Sequence, residues 1–252
     1  MEEKVVPVST YTKEVTLPSN GLLGGPKTIT IRAMSVAEEK ILYSTKDSSY
    51  LAKLCKVVTI NPKNLDLNKI LPIDVSFIIF QLRELTFGPV YQQRIRCPYC
   101  GLTQDVDIHI DQFEYKLIDP EKLNEELYID LPISKSRIHL RLLSQEERDF
   151  IDKEALNLYK DGKISDPDSY VELKLFSSMI ESATGVEFTK SDDRYRYLMS
   201  MHAADFNAIQ NAIGKLDFGI QNHVTVTCKN KNCEEKVEVQ GTICPEFFHP
   251  TI

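Results

Sequence analysis

Apolar residues recur along this chain in two rhythms, and the switches between them sketch its architecture. Spacings of three and four predict helices over residues 36–43, 49–59, 73–86, 144–159, 168–182, 191–201 and 203–215. Ser35 with Glu38 and Ser144 with Glu147 have the form of capping boxes, which fixes two of the starts. Residues 73–86 are apolar nearly all round and are expected to be buried. Phe206, Ile209, Ile213 and Leu216 form a core stripe on the last helix. Alternation with β-branched residues predicts strands at 28–32, 90–96, 104–110, 127–131, 137–142, 223–227 and 235–240. Ahead of these, residues 1–34 read as an extended arm that passes through the turn-rich segment 17–26 into a first strand.

Two of the predicted strand pairs enclose cysteines. Cys97-Pro98-Tyr99-Cys100-Gly101 lies in the middle of the chain and Cys228 and Cys233, spaced Cys-x4-Cys, lie near its end. Two such knuckles can complete a four-thiolate tetrahedron, the construction of a zinc ribbon, and a closed shell of this kind suits structural rather than catalytic Zn2+. Gly101 suits the positive φ that follows the second ligand of a tight knuckle. Unpaired thiols and a redox Cys-x-x-Cys are the competing readings, although the latter normally opens a helix and here a strand follows. A disulfide framework is not expected in an acidic chain that opens on the polar Met1-Glu2-Glu3-Lys4 without a targeting segment. Arg94, Arg96, Lys229, Lys231 and Lys236 neighbour the ligands in sequence and would offset the formal −2 of a tetrathiolate zinc. Cys55 reads as a core residue, Cys244 as a fallback ligand, and His109 and His223 as structural histidines beside the knuckles.

The fold expected from this pattern is α+β: helical bundles flank a β zinc ribbon assembled from two distant cysteine knuckles, with an extended N-terminal arm. The boundaries expected are 1–34 for the arm and first strand, 35–88 for an N-terminal helical region, 89–112 and 220–243 for the ribbon hairpins, 113–219 for a hairpin plus helical insertion, and 244–252 for a C-terminal tail. Phe87-Gly88 and Phe218-Gly219 each precede a knuckle cysteine with ten positions from Phe to Cys, so the two halves read as pseudo-repeats sharing one ribbon.

Composition then narrows the function. A chain of 252 residues with 42% hydrophobic content can bury a full core, and a net charge of −7 disfavours general binding to nucleic acid or acidic membranes. No apolar run reaches the roughly 18 residues that span a bilayer. Phosphate loops, dinucleotide-binding glycine patterns, nucleophile elbows and His-Glu-x-x-His helices are missing. The carboxylate pairs Glu38/Glu39, Glu146/Glu147 and Asp192/Asp193 fall in helix first turns, where they complement the dipole. No enzyme is expected.

Leu17-Pro18-Ser19-Asn20-Gly21, Phe87-Gly88, Cys97-Pro98-Tyr99-Cys100-Gly101, Cys233 and Pro245-Glu246-Phe247-Phe248 occur in an order that resembles the T4-type bacteriophage baseplate proteins, the group that includes the hub assembly catalyst. The resemblance runs from about Leu17 to Phe248. It implies a non-enzymatic protein of a contractile-tailed phage, acting with baseplate hub or tail proteins in the host cytoplasm during assembly or in the virion tail. A zinc-ribbon nucleic-acid-binding or transcription accessory protein is the alternative class, and a thiol oxidoreductase a third. The arm would be free to dock on a partner by strand addition.

Overall fold

The computed structural model describes residues 11–42, 49–190, 192–221, 223–241, 243 and 245–248, and the first of these form a hairpin. Strand β1 (Thr12–Thr16) runs antiparallel to β2 (Thr28–Arg32), with Val15 opposite Ile29. Residues 12–17 were expected in the arm, but they are strand and core. Val15 and Leu17 are buried, and the Leu17 N–H donates to the Lys27 carbonyl at 2.8 Å. The physical reason is that two large apolar side chains at i and i+2 of a strand share one face, and that face gains more by covering the core than by facing water. The first ten residues of the expected arm lie outside the described residues.

Helices α1 (Val36–Leu42) and α2 (Tyr50–Val58) follow, and the chain returns as β3 (Thr59–Asn61), which pairs with β2. The next helix, α3 (Pro72–Phe87), is the centre of the molecule, with Val75, Phe77, Ile78, Ile79, Phe80 and Leu82 all buried. Pro72 sits where a helix tolerates a missing N–H. Asp74 accepts from Leu71 N at 2.8 Å and from Ser19 N at 2.9 Å, which fastens the segment after β1 to the start of this helix. Gly88, at φ +89°, ends it.

Strands β4 (Val90–Arg96) and β5 (Thr103–His109) form the first cysteine hairpin, in register from Val90 opposite His109 to Arg96 opposite Thr103. Then come β6 (Tyr115–Lys116) and α4 (Pro120–Glu126), the latter capped by the Asp119 carboxylate. The expected hairpin over residues 127–142 is present as β7 (Tyr128–Asp130) and β8 (Arg137–Leu140), and the Ser144–Glu147 capping box opens α5 (Gln145–Lys160). Helix α6 (Pro167–Met179) stops earlier than its apolar run suggests. Ile180 and Ala183 are buried as part of β9 (Ile180–Ala183), a third strand beside β8. Helices α7 (Asp193–Met199) and α8 (Ala203–Gly214) lead to β10 (Gly219–Ile220), which pairs with β6, and to the second cysteine hairpin, β11 (His223–Thr227) with β12 (Lys236–Gln240).

The buried residues divide into two clusters. One joins β1, β2, α2 and α3 with both cysteine hairpins and with Phe247 and Phe248. The other gathers α4, the β7–β9 sheet, α7 and α8 with Leu71. All strand pairs described are antiparallel, and the class is α+β. Among the described residues no helix is long and apolar enough to cross a membrane.

Candidate metal centre

The two cysteine turns are built alike when counted from their second cysteine. In the first, the Gly101 N–H returns to the Cys97 carbonyl at 2.9 Å, Gly101 is left-handed at φ +75°, and Cys97 N donates to Leu102 O at 2.9 Å. In the second, Cys233 N and Glu234 N donate to Asn230 O at 2.8 and 3.0 Å, Glu234 is left-handed at φ +49°, and Cys228 N donates to Glu235 O at 2.9 Å. Two extra residues are absorbed by Asn230, whose side chain also accepts from Asn232 N at 3.0 Å. The wider Cys-x4-Cys spacing therefore reaches the same exit geometry.

Contacts between the hairpins bring these turns together. Gln93 Nε2 reaches Gln240 O at 3.3 Å, Gln104 Oε1 accepts from Lys229 N at 2.7 Å, and Lys229 Nζ donates to the Asp105 carbonyl. As a result the sulfurs of Cys97, Cys100, Cys228 and Cys233 all lie within 4.8 Å of one another. Cys97 Sγ is 3.9 Å from Cys233 Sγ, and Cys100 Sγ is 3.7 Å from Cys228 Sγ. A tetrahedron with metal–sulfur bonds of about 2.3 Å has edges of about 3.8 Å, so both distances fit a four-thiolate shell. Both are far longer than a disulfide bond of about 2.05 Å.

Without a cation the four sulfurs interfere with one another's ionisation. The Leu102 backbone N–H, with help from the Asn230 side chain and neighbouring thiols, draws Cys100 down to about 6. The Asn230 backbone N–H favours a Cys228 thiolate too, but burial and the other three thiols push that group up to about 12. The Glu235 N–H likewise favours a Cys233 thiolate, yet burial and the neighbouring Cys100 and Cys97 push that thiol up. Four anions cannot share this space unaided, and a divalent cation at the centre removes the conflict. The donor set fits such an ion.

A family model described as T4 bacteriophage base plate protein matches residues 8–249, nearly the whole chain and all four cysteines. The chain belongs to that family. No curated protein and no solved structure matches it. This baseplate protein thus has a structural or assembly role in a phage baseplate, and it carries a cysteine cluster that can hold a metal ion.

Other residues singled out from the sequence stand apart from the cluster. His109 pairs with Val90 and His223 with Gln240, at the hairpin ends away from the cysteine turns. Cys55 is fully buried on α2 with its Sγ 3.8 Å from the Val75 carbonyl, and burial pushes its thiol well above the ordinary range. Cys244 lies outside the described residues. Of the basic residues expected to offset the centre, Arg94 is committed to Asp105 at 2.8 Å and Lys229 to the Asp105 carbonyl. The baseplate protein's cross-hairpin bond from Lys229 to Gln104 went unforeseen. Its one sequence signal is a glutamine on the inward face of β5, where Val106 and Ile108 are also buried.

Proposed function

We propose that this chain is a non-enzymatic structural or assembly protein of the baseplate hub of a contractile-tailed phage, acting through protein–protein contacts. Cys97, Cys100, Cys228 and Cys233 hold one structural Zn2+, forming a ribbon from hairpins 89–112 and 220–243. The family match carries the baseplate reading, and the spacing of the four sulfurs carries the metal. Held by these four thiolates, zinc would supply a redox-inert structural cross-link there. The chain's own residues do the rest: the turn amides fix each pair of cysteines, and the hairpins hold the two pairs face to face. A rigid body of this kind presents its surface to hub proteins with little ordering cost. The protein works in the host cytoplasm while the tail is being built.

Elemental analysis of freshly purified, reduced protein is expected to give one zinc per chain, falling to background in Cys97→Ser/Cys228→Ser. Immobilised protein challenged with separately purified hub, tail-tube and tape-measure proteins is expected to retain a hub protein. Failure to retain any of them, with a salt-dependent shift of DNA or RNA instead, overturns the hub reading in favour of a nucleic-acid-binding ribbon.

A further inference from the structure

We propose that Gln104 is a positioning residue for the four-cysteine centre, setting the shape of the second knuckle from the first hairpin before a metal arrives. This rests on the metal reading above. The two knuckles differ at the residue that follows their first cysteine. After Cys97 comes Pro98, which has no N–H, whereas after Cys228 comes Lys229, whose N–H needs a partner. Gln104 supplies it at 2.7 Å from a site 125 positions away. Gln104 is 7% exposed, opposite Ile95 in the β4–β5 register, so the packing around it holds its amide in place. The next residue of β5, Asp105, takes the Lys229 ammonium on its carbonyl. Lys229 is thereby gripped at both ends by consecutive residues of one strand, and Cys228 beside it is fixed relative to Cys97 and Cys100. The Gln104 oxygen does this work, since its Nε2 has no hydrogen-bond partner among the described residues. A glutamate at this position keeps the acceptor, and a methionine keeps the length but loses it.

The test uses the full reduced chain. Zn2+ affinity is measured by competition with a chromophoric chelator, and the ligand field by the visible spectrum of the Co2+ form. Metal-free melting is recorded as a control for folding. Gln104→Met is expected to weaken binding about 10–100-fold and to alter the Co2+ bands, as loss of an outer-shell partner does. Gln104→Glu is expected to restore most of the affinity and the native spectrum. If the unaltered chain binds no stoichiometric metal, the centre itself falls, and the role of Gln104 with it. If the chain binds metal but Gln104→Met matches its affinity and spectrum, or both variants weaken alike, the positioning role is overturned while the centre stands. Should Gln104→Met fail to fold, hydrogen exchange of the Lys229 amide in the unaltered, metal-free chain decides: protection supports the role, and exchange at the rate of an unstructured amide overturns it.

Discussion

Arg83 is fully buried within α3, and its guanidinium is spent on carbonyls, donating to Phe247 O at 2.7 Å, Gly88 O at 2.5 Å and Val90 O at 2.7 Å. One side chain thus ties the end of the central helix to the start of β4 and to the segment after β12. Buried guanidinium is costly, and burial lowers its pKa, but three charge-assisted bonds offset the loss of water. Arg83→Met keeps the packing volume and leaves three carbonyls without a donor. It is expected to cost about 3–5 kcal/mol in urea unfolding; a loss under 1 kcal/mol would show that water substitutes freely there. Glu38 is governed by pH. Its hydrogen bonds with Arg32, aided by those with Ser35, hold its carboxyl down at about 2, against an ordinary 4.5. A depressed folded pKa gives stability that is present above about 4.5 and is lost as pH falls toward 2. Glu38→Gln should therefore be the less stable protein at pH 7, by about 1–2 kcal/mol after allowing for solvent screening. The gap should narrow steadily between pH 5 and pH 2, and a pH-independent gap would mean that packing rather than charge is at stake.

At the scale of elements, β1 settles what the N-terminal region contributes to stability. Removing residues 1–16 strips a strand from β2 and uncovers the face that Val15 shares with Ile29. The truncated protein is expected to lose several kcal/mol and to melt at least 10 °C lower; an unchanged melting temperature would return these residues to the role of a free arm. The sequence was most legible where one rule acted alone. Alternation in β4, β5, β11 and β12 has period two with little competition, and Gly101 announced the backbone it needed. Helix α4 was illegible because only Leu123 among its seven residues is buried, which leaves no stripe to see. Strand β9 was hidden because Ile180 continues the apolar run of α6, and only its pairing with Leu140 of β8 makes it a strand. Glu234 takes a positive φ without a glycine to announce it, and the bond from Lys229 to Gln104 joins residues that no local window contains. At the candidate site the four cysteines were readable, whereas what aligns them was not.

For the molecule as a whole, the two cysteine hairpins belong to one hydrophobic cluster and the β7–β9 sheet to another. That separation predicts where metal removal is felt. The hairpins are fastened at their base by Arg83, through Val90 and Phe247, and along their length by Gln93 and Gln104. Near the tip Gln104 and Asp105 hold Lys229, and an ion bridging four sulfurs would add a further restraint there. Without it, Cys228 and Cys233 take up protons in a crowded space, and the turns can open with their end of the first cluster while the second stays closed. Chelation of the loaded protein is therefore expected to speed hydrogen exchange at Cys97, Gly101, Cys228 and Glu234 and in the adjoining halves of β4, β5, β11 and β12. Exchange in α3 and the β7–β9 sheet should stay nearly unchanged. The metal should raise the unfolding free energy in proportion to the logarithm of its free concentration, because only the folded chain brings the two pairs together. Uniform acceleration across both clusters would instead make the ion a condition of global folding. No change anywhere would mean that the hairpins hold the cysteines together unaided, leaving the sulfur cluster without a structural task.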